Sequence, residues 1–162
     1  GFLIGGGLDD VWHDPKTDEI FIVDYKSTAG KRNKEMNALE PMSLFGAYKK
    51  AYKRQMDMYQ WIMRQNGFNV SNVGYFLYVN GDQHFENGML AENEDKALMK
   101  FEVELLAHES DDSWVDNKIM ELKTCLHQET CPPHAESGFG PKGDKQCEYA
   151  TLFDGMKDND LI

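Results

Sequence analysis

The sequence predicts an α/β domain built on a mixed, hairpin-led sheet with flanking helices. Three stretches carry that prediction: two apolar segments near the start separated by a turn, a long amphipathic helical stretch, and a continuous apolar run after it. The apolar segments cover residues 2–12 and 20–25, and His13-Asp14-Pro15-Lys16-Thr17-Asp18 between them has the Asp-Pro and polar residues of a turn. In the second segment Asp24 and Lys26 stand two apart, so both project from one face of the strand. Asp9 or Asp10, on the partner segment, reaches the same end of the sheet, and two acids then converge on one lysine.

Residues 27–43 contain Gly30, Pro41 and many polar side chains, and predict a loop or a short helical excursion. A helix is expected over 44–65, which holds no proline and one glycine near its start, with Gly67 as a stop signal. Tyr48, Tyr52, Gln55, Tyr59 and Ile62 share one of its faces, with Lys49, Lys50, Lys53 and Arg54 on rows beside it. The run 73–79, closed by Asn80-Gly81, has the pattern of a strand buried on both faces. After a polar segment, Phe101, Val103 and Leu105 alternate with Lys100, Glu102 and Glu104, predicting an edge strand with one solvated face. Asp111-Asp112-Ser113 is placed to cap a helix in which Val115, Ile119, Leu122 and Leu126 repeat at helical spacing. From Cys131 onward Pro132, Pro133, Gly138, Gly140, Pro141 and Gly143 break regular structure, and the end of the chain is polar and acidic. The expected organisation is one domain over 1–150 and a polar acidic end over 151–162, with no internal repeat.

With 162 residues, the chain can bury one real core. No run is long enough to span a bilayer and no basic, apolar leader is visible, so an intracellular, cytoplasmic protein is expected, with no membrane partner. Three cysteines make no disulfide framework and agree with a reducing compartment. Gly1 leads straight into apolar Phe2-Leu3-Ile4, as in a piece of something longer. A net charge of −11 is the wrong sign for a nucleic-acid binder as a whole, yet residues 31–54 carry +5. That local excess is either a solvated helix face or a phosphate-gripping flank formed by Lys31, Arg32, Lys49, Lys53 and Arg54.

Two carboxylates able to share a divalent ion, with a lysine beside them, suit phosphodiester hydrolysis. Mg²⁺ and Mn²⁺ prefer oxygen ligands and keep several waters, so Asp9, Asp24 and the backbone carbonyl of Tyr25 would leave positions open for phosphate and water. Such an ion lowers the pKa of the water and neutralises phosphoryl charge. Lys26 would orient the water or stabilise the transition state. The plainer reading of the same residues is a same-face surface pair, Asp24 with Lys26, and a loop-facing acid pair, Asp9-Asp10.

A wider pattern bears on that choice. Gly6-Gly7-Leu8-Asp9, then Ile22-Val23-Asp24-Tyr25-Lys26-Ser27-Thr28, then Gln55-Met56-Asp57-Met58-Tyr59 come in one order and spacing. In these motifs the sequence resembles the PD-(D/E)XK nuclease superfamily, in particular its RecB-like branch, which includes the CRISPR adaptation nucleases. The resemblance covers roughly residues 5–79. It implies a restriction-endonuclease-like core, here without its N-terminal helix and strand, and a metal-dependent nuclease that hydrolyses DNA phosphodiester bonds by metal-activated water in a setting such as DNA repair or phage defence. It implies Asp9, Asp24 and Tyr25 as the metal-binding set for Mg²⁺ or Mn²⁺, and Lys26 as the residue that positions water. Gln55 and Tyr59 would lie over the site, although for both, and for Tyr59 above all, core packing is the competing role. Alternate residues face opposite ways, so only one of Asp9 and Asp10 points at Asp24.

Relatives with an iron–sulfur cluster use an early cysteine and a closely spaced later group. Cys125, Cys131 and Cys147 do not supply the four ligands a cluster needs, which argues against one. A zinc site drawing on His127 or His134 stands against the alternative of unligated thiols. The expected partner is DNA, single- or double-stranded, together with other parts of a larger chain or complex. The rival function is a non-catalytic nucleic-acid-binding or assembly module that keeps the nuclease scaffold; a phosphatase-like hydrolase is a weaker third.

Overall fold

The computed structural model describes residues 2–30, 32–33, 35, 37–82, 100–130 and 147–159. The chain forms β1 (Asp10–Asp14), β2 (Glu19–Thr28), the short β3 (Arg32–Asn33) and β4 (Ala38–Leu39), α1 (Ala47–Gln65), β5 (Val73–Asp82), β6 (Lys100–Glu109), α2 (Val115–Leu126) and α3 (Glu148–Asp158). Four strands make one mixed sheet in the order β1-β2-β5-β6, with β2 and β5 parallel and the outer pairs antiparallel. The mixed α/β class and the flanking helices agree with the expected restriction-endonuclease-like architecture.

The leading hairpin closes where the turn residues stand. Asp14 takes the Lys16 amide on Oδ1 at 2.8 Å, its carbonyl accepts the Asp18 amide at 2.9 Å, and Asp18 adopts a positive φ of 56°. A short polar side chain tolerates that left-handed conformation better than most. Parallel strands need a crossover of a dozen or more residues, and α1 supplies it between β2 and β5. The crossover's return also pairs Ile20 with Val70 ahead of the main ladder.

The core is Ile22, Met56, Phe76 and Tyr78, with Leu8, Met42, Leu44, Tyr52, Tyr59, Met63 and Leu106 packed around it. α1 approaches β5 closely over Gly74, where a Cβ would stand 2.5 Å from Met56 Sδ. A side chain larger than hydrogen has no room there.

Several local expectations are corrected. The buried side of α1 centres on Met56, Asp57 and Gln60; of the tyrosine row, Tyr52 and Tyr59 pack against the core at its margin while Tyr48 is 67% exposed. Residues 27–43 contain the two-stranded pair β3 and β4. β6 is the edge strand predicted, but Phe101, Val103 and Leu105 lie on its exposed face. Its other face has polar partners waiting: Glu104 accepts the Met42 amide, and His108 bonds Asp57 across to α1. α2 begins after Trp114 without a side-chain cap; Asp111 accepts the Ser113 amide instead, turning the chain before the helix, and Val115 is the residue α2 buries. Leu122 and Leu126 are exposed. Glu148–Asp158, read from sequence as irregular and then acidic, is helical.

Two polar ties fix the middle and the far end of α1. The buried Asp57 receives Trp114 Nε1 at 3.2 Å and lies 3.1 Å from His108 Nε2. Arg64 pairs with Asp112 and donates to the carbonyls of Val70 and Ser71 and to Asn72. Among the described residues no helix is long and apolar enough to cross a membrane.

Candidate functional site

β2 is an interior strand, and its alternation sends Ile22, Asp24 and Lys26 toward α1. Asp24 is 4% exposed, and Lys26 forms an ion pair with its Oδ2. The same Nζ donates to Gln55 Oε1 at 3.4 Å and lies 4.7 Å above the Tyr52 ring. Gln55 Nε2 in turn donates to Tyr59 Oη at 2.8 Å. A chain of contacts therefore runs Asp24, Lys26, Gln55, Tyr59, each side chain held by the next.

The glycine-rich segment before β1 closes over this chain. A Cβ on Gly6 would lie 3.0 Å from Tyr59 Cε1, so the backbone at Gly6 passes directly against that ring. Three residues later Asp9 accepts the Tyr25 amide on Oδ2 at 2.8 Å. That bond places the Asp9 carboxylate at the peptide joining Asp24 to Tyr25.

Asp10 has a different set of partners. Its carboxylate takes Tyr25 Oη at 2.6 Å, Trp12 Nε1 at 3.0 Å and the Val11 amide at 2.8 Å. The Tyr25 ring stands on the sheet face opposite Asp24 and Lys26, so Asp10 is drawn to that side. The Tyr25 hydrogen bond foremost, then Trp12 and the Val11 amide, hold the Asp10 carboxyl below the usual aspartate range, and Asp10 in return pushes the Tyr25 phenol up. Of the two acids, Asp9 is the one associated with the Asp24–Tyr25 backbone.

The family model described as the PD-(D/E)XK nuclease superfamily matches residues 1–152. The chain belongs to that superfamily. No curated protein and no solved structure matches it. Membership in a nuclease superfamily makes nucleic acid the class of substrate, and these nucleases typically use divalent metal ions.

In this PD-(D/E)XK chain the groups expected to hold an ion, Asp9, Asp24 and the Tyr25 carbonyl, would all offer oxygen. Among the described residues no three His, Cys, Asp or Glu side chains gather as a metal cluster. Two carboxylates and a carbonyl fit a hard ion that retains most of its waters, as Mg²⁺ and Mn²⁺ do, and not a closed zinc site. Cys125 and Cys147 are free thiols, and His127 stacks on Phe2 at 6.3 Å. Cys131 and His134 lie outside the described residues.

The basic residues divide by partner. Arg32 pairs with buried Asp82 and donates to Asn37, so its guanidinium ties the loop that holds β3 and β4 to the end of β5. Lys49 donates to Tyr78 Oη and lies 5.3 Å above Tyr52, the ring that also faces Lys26. Lys53 sits 5.6 Å over Phe45, Arg54 is exposed, and Lys31 lies outside the described residues.

Tyr52 and Tyr78 are the members that sequence reasoning did not assign to the site. Tyr52 shares a helical row with Gln55 and Tyr59, a signal present in the spacing. Tyr78 is level with Lys26 through the β2–β5 register, which no local pattern encodes. Burial foremost, then Tyr52, raises the Tyr78 phenol above its ordinary value, with Lys26 acting against the rise.

Proposed function

We propose that the chain is a metal-dependent nuclease of the RecB-like branch that hydrolyses DNA phosphodiester bonds. The observation that carries this reading is the Asp9 carboxylate on the Tyr25 amide, beside Asp24, with Lys26 joined to both Asp24 and Gln55. Asp9, Asp24 and the Tyr25 carbonyl would hold Mg²⁺ or Mn²⁺. When bound, such an ion neutralises phosphoryl charge and makes water a stronger nucleophile.

The chain's own residues do the rest. Lys26 carries three N–H donors on a point charge, enough to hold an attacking water and face charge developing on the phosphoryl oxygens. Gln55 fixes the position of Lys26, and Tyr59 fixes Gln55, so both act as positioning residues. The same Tyr59 packs on the core, which joins the site's geometry to the fold's stability. Lys49, Lys53 and Arg54, with Lys31, would contact phosphates without reading sequence. Arg32, bound to Asp82 and Asn37, shapes the loop.

The test is cleavage of labelled DNA in Mn²⁺. Lys26→Ala and Asp24→Asn each lower the rate by at least about 100-fold, the usual yield of a positioned acid–base or electrostatic group. Parent-level cleavage by both variants overturns the assignment. That no three His, Cys, Asp or Glu side chains gather among the described residues leaves room for a second reading, a non-catalytic DNA-binding or assembly module within a larger chain or complex. Salt-dependent DNA binding with neither Mn²⁺ binding nor cleavage selects it.

A further inference from the structure

We infer that the substrate strand is single-stranded, and that Phe45 and Tyr48 form a base-stacking platform leading into the site; this rests on the nucleic-acid reading above. Both rings stand in solvent at the start of α1, Phe45 88% and Tyr48 67% exposed. Burial explains neither. Between Pro41 and Met56 the chain carries Lys49, Lys50, Lys53 and Arg54 and no acid, inside a protein whose net charge is −11. An acidic chain that collects positive charge around two exposed rings presents a surface suited to a polyanion with flat faces.

The rings and cations also meet in two groups. Lys53 stands 5.6 Å over Phe45, and Lys49 stands 4.3 Å over Tyr78 and 5.3 Å over Tyr52. Lys26 is 4.7 Å over the same Tyr52. Tyr52 therefore lies between Lys49 and Lys26, the residue proposed to face the scissile phosphate, and Lys53 with Phe45 forms a second cation–ring pair. Tyr48 begins the helical row that continues through Tyr52, Gln55 and Tyr59, and Tyr48 to Gln55 is a rise of about 10 Å. That places its ring near the nucleotides next to the phosphate at Lys26. A duplex keeps its base faces stacked on each other and cannot offer them to Phe45 and Tyr48, whereas an unpaired strand can. Stacking of this kind is tolerant of sequence, because every base has a π-face.

The experiment is fluorescence anisotropy with a short labelled oligothymidylate, its abasic counterpart and a duplex of equal length, in EDTA so that nothing is cut. The parent binds the oligothymidylate more tightly than the duplex. Phe45→Ala and Tyr48→Ala each weaken oligothymidylate binding about tenfold and leave duplex binding nearly unchanged. Phe45→Trp and Tyr48→Phe keep the parent affinity. The abasic strand binds the parent as weakly as the oligothymidylate binds the alanine variants. Equal affinity for strand and duplex, or alanine variants that bind as the parent does, overturns the platform and leaves the two rings to a protein contact. The two readings fail separately. Stacking-dependent binding without metal-dependent cleavage removes the nuclease and keeps the platform, while Lys26-dependent cleavage with no effect at Phe45 and Tyr48 does the reverse.

Discussion

If Lys26 and a divalent ion share the Asp24 carboxylate, removing the lysine should tighten ion binding even as it abolishes cleavage. The Asp24 side chain is 6% exposed and that of Lys26 18%, so the pair is largely withdrawn from water. Breaking a buried pair by deleting one partner costs about 3–5 kcal/mol, and the partial exposure of Lys26 argues for the lower end, about 3 kcal/mol for Lys26→Met. Asp24→Asn strands the lysine in the same way. The double variant leaves no unpaired charge, so its loss falls short of the sum by about 2 kcal/mol, within the range seen for contacting residues. Urea unfolding of the parent, both single variants and the double variant supplies the cycle. Repeating it in Mn²⁺ supplies the second arm: at 100 times its Kd the ion returns about 2.7 kcal/mol to Lys26→Met, and nothing to any chain carrying Asp24→Asn. Additivity within about 0.5 kcal/mol, together with Mn²⁺ indifference in Lys26→Met, refutes the shared carboxylate.

Other outcomes follow from single contacts. Asp57→Ala leaves His108 Nε2 and Trp114 Nε1 without their shared partner and should cost about 3 kcal/mol in urea unfolding, at about 1–3 kcal/mol per stranded group. Gly74→Ala puts a methyl group against Met56 and should destabilise by about 1–3 kcal/mol, with part of the loss recovered when Met56 is shortened to Val. The Asp10 carboxyl should titrate below the ordinary aspartate range by NMR, and Tyr25→Phe should move its midpoint upward more than Trp12→Phe does. Because folding lowers that pKa, the associated stability is present above the ordinary aspartate value and is lost as pH falls through the depressed one.

The hairpin, α1 and β5 were legible because each rests on signals confined to a few residues. Asp14-Pro15 made the turn, the proline-free stretch before Gly67 made the helix, and the aromatic run after Val73 made the strand. The orientation of these elements was harder to read. Asp57 looks like a solvent residue until His108 and Trp114, 51 and 57 positions away, are brought to it. The same bond turns His108 inward and sends the apolar alternates of β6 outward, so a correct strand came with an inverted face. In the site, the motif residues Asp24, Lys26, Gln55 and Tyr59 do form one connected set. The choice between Asp9 and Asp10 was not readable, since it depends on which carboxylate receives the Tyr25 amide and which its phenol. Tyr78 was likewise hidden in a register between strands some fifty positions apart.

The placement of β2 gives the site two halves of unlike mechanical character. Asp24 and Lys26 sit on a strand flanked on both sides, a fixed anvil that cannot shift without disturbing neighbouring ladders. Asp9 lies one residue outside β1 and is joined to that anvil through its side chain at the Tyr25 amide. In the proposed site the segment before β1, held to β2 here by a side chain and not by a ladder, would be the jaw that adjusts to ion or substrate. The Tyr25 amide, bonded to a carboxylate where the ladder would use a carbonyl, becomes the clock of that motion: its hydrogen exchange measures how often the jaw lets go.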